Sequence, residues 1–146
     1  MAIFGVFNQI QGKNLNAIDE LVEVNKFQKE INNAYSPTVV YDLKKFYPEI
    51  HKQLKNFKRE KMLEFITLNL EKGKKQGLYR EELNSKIIAK LYVSRFESII
   101  DNDIFSMEEL TSPDMFNEVF LYHLHGICNN NGIKYLENVI NDLKNI

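Results

Sequence analysis

Along almost the whole chain apolar residues recur three and four positions apart, and no stretch alternates apolar and polar residues with β-branched side chains, so the pattern predicts helices and no strands. The breaks between the periodic stretches carry the chemistry of helix ends. Asn16 precedes an acidic turn at Asp19 and Glu20, and Ile18, Leu21, Val22, Phe27 and Ile31 then trace one face, which predicts a helix over 16–34. Ser36 before Pro37 is an N-cap with proline at the first helical position, and Tyr35 and Val40 are spaced to close over it as a staple, starting a short helix to about Phe46. Pro48 stops that helix and begins the longest one, through Ile50, Leu54, Phe57, Met62, Phe65 and Leu70 to about Gln76. Gly77 supplies the left-handed residue that ends it, with Leu78 placed to dock back on the last turn.

Asn84 caps a helix whose stripe of Ile87, Ile88, Leu91, Tyr92, Phe96, Ile99 and Ile100 holds until Asp101 to Asp103 breaks it. Ser106 with Glu109 is a capping box, flanked by Phe105 and Leu110, and Ser112-Pro113 restarts the chain as a helix to about residue 128. Asn129 to Gly132 reads as a helix-to-helix loop, and a last helix runs through Ile133, Leu136, Val139, Ile140 and Leu143. The expected fold is all-α, a single-domain bundle of about six helices over 14–146. Residues 1–13 stand apart: their apolar stub of Ile3, Phe4, Val6, Phe7 and Ile10 is the remnant of a connecting helix or a frayed N-terminus.

Composition narrows the class. With 146 residues the chain has the length of one domain, and 44% apolar with 27% charged residues is too apolar for a disordered tail. Cys128 has no cysteine to pair with, which favours a reducing, cytoplasmic setting, and the apolar stretch from Met1 to Phe7 lacks a basic n-region and the length of a membrane span. Nineteen basic against twenty acidic residues leave a net charge of −1, so no global field holds a polyanion. The one basic concentration, Lys44, Lys45, Lys52, Lys55, Lys58, Arg59 and Lys61 with Phe46, Tyr47 and Phe57 among them, has acidic neighbours and reads as a solvated face.

The helix over 113–128 is apolar on nearly its full circumference, and a second subunit is the expected cover for one side. Met115, Phe116, Val119, Tyr122, His123 and Ile127 are the candidates for a homodimer interface. His125 and Cys128 stand three apart, but His123 points to another side and no CxxC or HExxH accompanies them; interface histidines and a buried thiol are expected, with no metal or cofactor. No GxSxG, P-loop or GxGxxG occurs, and Glu60 and Glu64 beside Arg59 and Lys61 read as an ion-paired face, so the chain is not expected to be an enzyme. Aromatic residues lie on the apolar faces of successive helices, several bringing a hydroxyl. Tyr41, Phe57, Phe65, Tyr92, Phe96 and Phe120 are the candidate walls of an interhelical ligand pocket, with Tyr79 a further aromatic in the same series.

Four stretches, Asp42-Leu43-Lys44-Lys45-Phe46-Tyr47-Pro48, Gly77-Leu78-Tyr79-Arg80, Ile87-Ile88-Ala89-Lys90-Leu91-Tyr92 and Tyr122-His123-Leu124-His125-Gly126-Ile127, resemble the C-terminal half of TetR-family transcriptional regulators over roughly residues 15–140. The resemblance implies a regulatory domain that binds a small apolar effector in an internal pocket and dimerises through a four-helix bundle, the helix over 113–128 pairing with the helix over 84–102 or with the last one. TetR regulators begin with a helix-turn-helix domain, and nothing before Asn14 could encode one. The expectation is a truncated form of a longer regulator, or a chain that has lost operator binding, with DNA held only through that missing domain. A helical protein–protein adaptor without a pocket is the alternative.

Overall fold

The computed structural model describes the backbone of residues 2–34, 37–101 and 103–144, and the side chains within 5–30, 38–99 and 103–141. The Ser36 cap and the Tyr35–Val40 staple lie outside the described residues, as do the side chains of Ile3, Phe4, Ile31, Ile100 and Leu143. Among the described residues there are helices and no strands: α1 (Ala2–Gly12), α2 (Ala17–Ala34), α3 (Pro37–Phe46), α4 (Pro48–Lys75), α5 (Ser85–Asp101), α6 (Met107–Thr111), α7 (Pro113–Ile127) and α8 (Asn130–Lys144). The helical bundle is as expected, with more helices than the six counted from sequence. The apolar stub forms α1, and the capping box at Ser106 opens a short helix of its own.

The local signals act where they stand. Asn16 Oδ1 accepts from Asp19 N–H at 2.8 Å, and Asn84 Oδ1 accepts from Ile87 N–H at 3.2 Å. Ser106 and Glu109 satisfy each other's backbone N–H reciprocally, and Ser112 caps α7 ahead of Pro113. Gly77 takes φ +70°, Leu78 N–H donates to Gly73 O at 2.9 Å and Gly77 N–H to Lys74 O at 3.0 Å, the paired bonds of a Schellman ending for α4. The chain then doubles back so that the Tyr79 ring lies directly on Gly73, where any side chain would collide with it.

Asn129 joins that turn to the end of α7. Its N–H donates to Leu78 O at 3.0 Å, and its side-chain amide donates to Gly77 O at 2.8 Å and Tyr79 O at 3.3 Å. Its Oδ1 accepts from Gly132 N–H at 3.0 Å, which starts α8 at Asn130, within what the sequence reads as loop.

The core is built from α2, α4, α5, α7 and α8 around Ile18, Leu21, Phe65, Ile66, Leu70, Tyr79, Phe120, Leu124 and Leu136. α1 closes one side, burying Phe7 and Ile10 and laying the Phe7 ring 5.0 Å from that of Phe65. Burying two such side chains stabilises by roughly 1.5–3 kcal/mol each, enough to hold a helix of this length in place.

A polar spine runs beside the apolar core. Asn69 donates to Ala17 O at 2.8 Å and Glu20 Oε2 at 3.1 Å, Lys72 pairs with Glu20 Oε1 at 2.6 Å, and Gln76 Oε1 accepts from Ala17 N–H at 2.9 Å. These bonds fix the start of α2 against the end of α4 and satisfy a buried carboxylate.

α4 is longer than the core it serves. Its second half buries Met62, Phe65, Ile66, Asn69 and Leu70, while its first half is largely exposed and stands with α3 as an arm. The bidentate pair of Arg59 with Glu97, at 2.8 Å for both bonds, marks where the arm leaves the body, next to the end of α5.

Candidate functional site

α2 presents Leu21, Val22, Val24 and Asn25 inward, so one amide lies on an otherwise apolar face. Asn25 is 1% exposed, and neither its Oδ1 nor its Nδ2 has a hydrogen-bond partner. Gln28, three residues on and so on the same side of the helix, has its Oε1 buried and unpartnered as well. The same holds for the Tyr92 hydroxyl on α5 and His123 Nε2 on α7, whose rings meet at 4.4 Å.

The register between helices brings these groups to one level of the bundle. Lys29 Nζ donates to Asn117 Oδ1 at 2.5 Å, tying the later part of α2 to the early part of α7. The start of α2 bonds to Gln76 at the end of α4, beside the Leu78–Asn129 contact at the end of α7, so α2 and α7 run antiparallel. One turn back from Lys29 on α2 is Asn25, and the matching turn forward from Asn117 on α7 reaches Phe120 to Leu124. Phe96 packs on Tyr92 at 4.9 Å, and Phe65, Phe120 and Leu124 belong to the same buried core.

Burial sets the charge state of this region. Desolvation, with Arg95 adding repulsion, lowers the His123 pKa from 6.5 to about 4, so the ring is neutral at physiological pH. Burial also raises the Tyr92 hydroxyl pKa well above its ordinary value. The interior therefore offers donors and acceptors without formal charge: an amide, an amide oxygen, a hydroxyl and an imidazole nitrogen. Such an arrangement can orient a small uncharged molecule by hydrogen bonds while aromatic and aliphatic walls hold its body.

Four of the aromatic residues expected to wall a pocket, Phe65, Tyr92, Phe96 and Phe120, are brought together in or against the core. Tyr41 is 62% and Phe57 42% exposed, both on the arm. Of the residues expected at a dimer interface, His123 and Ile127 face the interior of this chain, Met115, Phe116 and Val119 are half-buried, and Tyr122 is 70% exposed with Arg95 stacked on its ring at 4.8 Å. The sequence pattern does not single out Asn25 and Gln28. The available signal was the polar side chain at 25, a helical turn beyond Leu21 and Val22 on the same stripe.

His125 turns back on its own helix, its Nδ1 2.8 Å from Leu121 O, and Cys128 is buried with its thiol pKa pushed up to about 11. No group of three or more metal-ligating side chains occurs among the described residues, and none of their helices is long and apolar enough to cross a membrane. At the surface, a shallow cleft of about 100 Å³ lies between α1 and α4, lined by Phe7, Asn8, Gln11, Lys61, Glu64 and Phe65.

No family model, curated protein or solved structure matches the chain.

Proposed function

We propose that this chain is an effector-binding regulatory domain, of the kind the TetR resemblance implies, that takes a small and mainly apolar molecule among α2, α5 and α7. The observation that carries the reading is the set of unpartnered buried polar atoms on Asn25, Gln28, Tyr92 and His123. Leaving one such group unsatisfied costs about 1–3 kcal/mol, so a set of them on facing helices is expensive unless something hydrogen-bonds to it. The neutral state of His123 favours an uncharged ligand with one or two hydrogen-bonding groups on an apolar body. Phe65, Tyr92, Phe96 and Phe120 supply the walls.

Differential scanning fluorimetry tests this with a library of small aromatic and aliphatic amides, ketones and alcohols, run on the wild type and on Asn25→Leu and His123→Leu. A ligand at a hundredfold excess over its Kd adds about 2.7 kcal/mol, a shift of several degrees for a domain of this size. The reading expects compounds that stabilise the wild type and lose that effect in both variants. Compounds that stabilise all three proteins equally would overturn it.

A second reading, a helical protein–protein adaptor, is favoured by a different observation: the arm of α3 and the first half of α4 exposes Val39, Val40, Tyr41, Phe46, Tyr47 and Ile50.

A further inference from the structure

Besides Leu68, Ile87, Leu91 and Tyr122 on the body of the bundle, the exposed large apolar side chains lie on two features. One is the arm, with Val40, Tyr41, Phe46, Tyr47 and Ile50. The other is the segment 103–118 that follows α5, where Ile104 is 80% and Met107 60% exposed. The Arg59–Glu97 pair places the root of the arm beside the end of α5, so both features project from the same end.

Their charges are opposite. Residues 38–58 hold five lysines against Asp42 and Glu49, a net charge of +3. Residues 103–118 hold Asp103, Glu108, Glu109, Asp114 and Glu118 and no lysine or arginine, a net charge of −5, and all five carboxylates are exposed. In a chain whose overall charge is −1, this segregation sets a basic apolar surface next to an acidic apolar one.

We infer that this end of the bundle is a self-association surface, on which the basic arm of one copy docks against the acidic 103–118 segment of a second copy. Two surfaces of opposite charge at one end of a molecule satisfy each other twice under a two-fold axis, which closes the assembly at a dimer. The lysines and carboxylates set the register while the apolar side chains supply the buried area. This places the interface on the arm and the 103–118 segment, which takes in only the first turns of α7, rather than along the whole of that helix, and it stands independently of the ligand proposed for the interior.

Analytical ultracentrifugation of the full chain with charge-reversed variants provides the test. Lys44→Glu with Lys52→Glu takes the arm from +3 to −1, and Asp103→Lys with Glu108→Lys and Glu118→Lys takes the opposing segment from −5 to +1; none of these five side chains is buried, and far-UV circular dichroism checks that both variants fold. The wild type is expected to be dimeric at tens of micromolar, and each variant alone to associate at least tenfold more weakly. Mixing the two variants in equal amounts restores a dimer, because each reversed arm then meets a reversed segment. A monomeric wild type, variants that dimerise as tightly as the wild type, or a mixture that stays monomeric would overturn the inference. The last result together with a dimeric wild type would move the interface elsewhere, and binding of the arm to an acidic partner protein only would leave the wild type monomeric.

Discussion

Tyr79 donates its hydroxyl hydrogen bond to Asn69 Oδ1 at 2.9 Å, with both side chains buried, and through Asn69 the turn after α4 is joined to the start of α2. Three segments, α4, the turn that follows it and the distant start of α2, therefore meet at one amide. Tyr79→Phe removes the donor and leaves Asn69 Oδ1 unpaired, which should cost about 1–3 kcal/mol in urea-induced unfolding. Asn69→Leu should cost more than Tyr79→Phe, because it also strips Ala17 O and the buried Glu20 of a donor.

Glycine positions should separate sharply by geometry. Gly73→Ala drives a methyl group into the Tyr79 ring, and the variant should unfold at markedly lower urea than the wild type. Gly77→Ala forces a side chain into φ +70° and should cost about 1 kcal/mol. Gly126, helical and open on all sides, should gain about 0.5–1 kcal/mol as alanine. Thermal denaturation of the three variants ranks them in one experiment.

His123 should make the fold acid-labile. Its folded pKa of about 4 lies below the unfolded value of 6.5, so between the two the unfolded chain binds a proton that the native state refuses. The stability is full above pH 6.5, falls as pH drops towards 4, and levels off below. The loss from this residue is about 3 kcal/mol. Urea titrations at pH 7, 5.5 and 4.5 should show the decline in the wild type and a shallower one in His123→Leu.

Cys128 should be silent towards Ellman's reagent in the native protein, because its thiol is buried and its pKa is pushed up to about 11. Labelling should track unfolding, with a rate that rises in urea.

Legibility in the sequence followed the range of the interaction. The caps at Asn16, Asn84, Ser106 and Ser112 and the left-handed stop at Gly77 are settled by residues within one turn, and the sequence places them correctly. The Glu20–Asn69–Lys72 spine has no local signature, since its partners meet only when α2 and α4 pack, and charged residues on a helix read as solvent-facing until then. Tyr41 and Phe57 illustrate the converse. Their helical spacing is regular, but α4 outruns the core, so the same periodic stripe is buried at Phe65 and exposed at Phe57. Asn129 reads as a loop residue, whereas its three bonds to the Gly77–Tyr79 turn are visible only once that turn lies beside it.

The central claim is that the unpartnered polar groups at mid-bundle serve a ligand rather than the fold. Equilibrium urea unfolding of ligand-free Asn25→Leu against ligand-free wild type tests it most directly. A side chain kept for binding is a liability to the empty protein, so the account predicts that Asn25→Leu is more stable than the wild type by about 1 kcal/mol. A loss of stability of that size or more would mean that Asn25 holds the fold together, and would contradict the account.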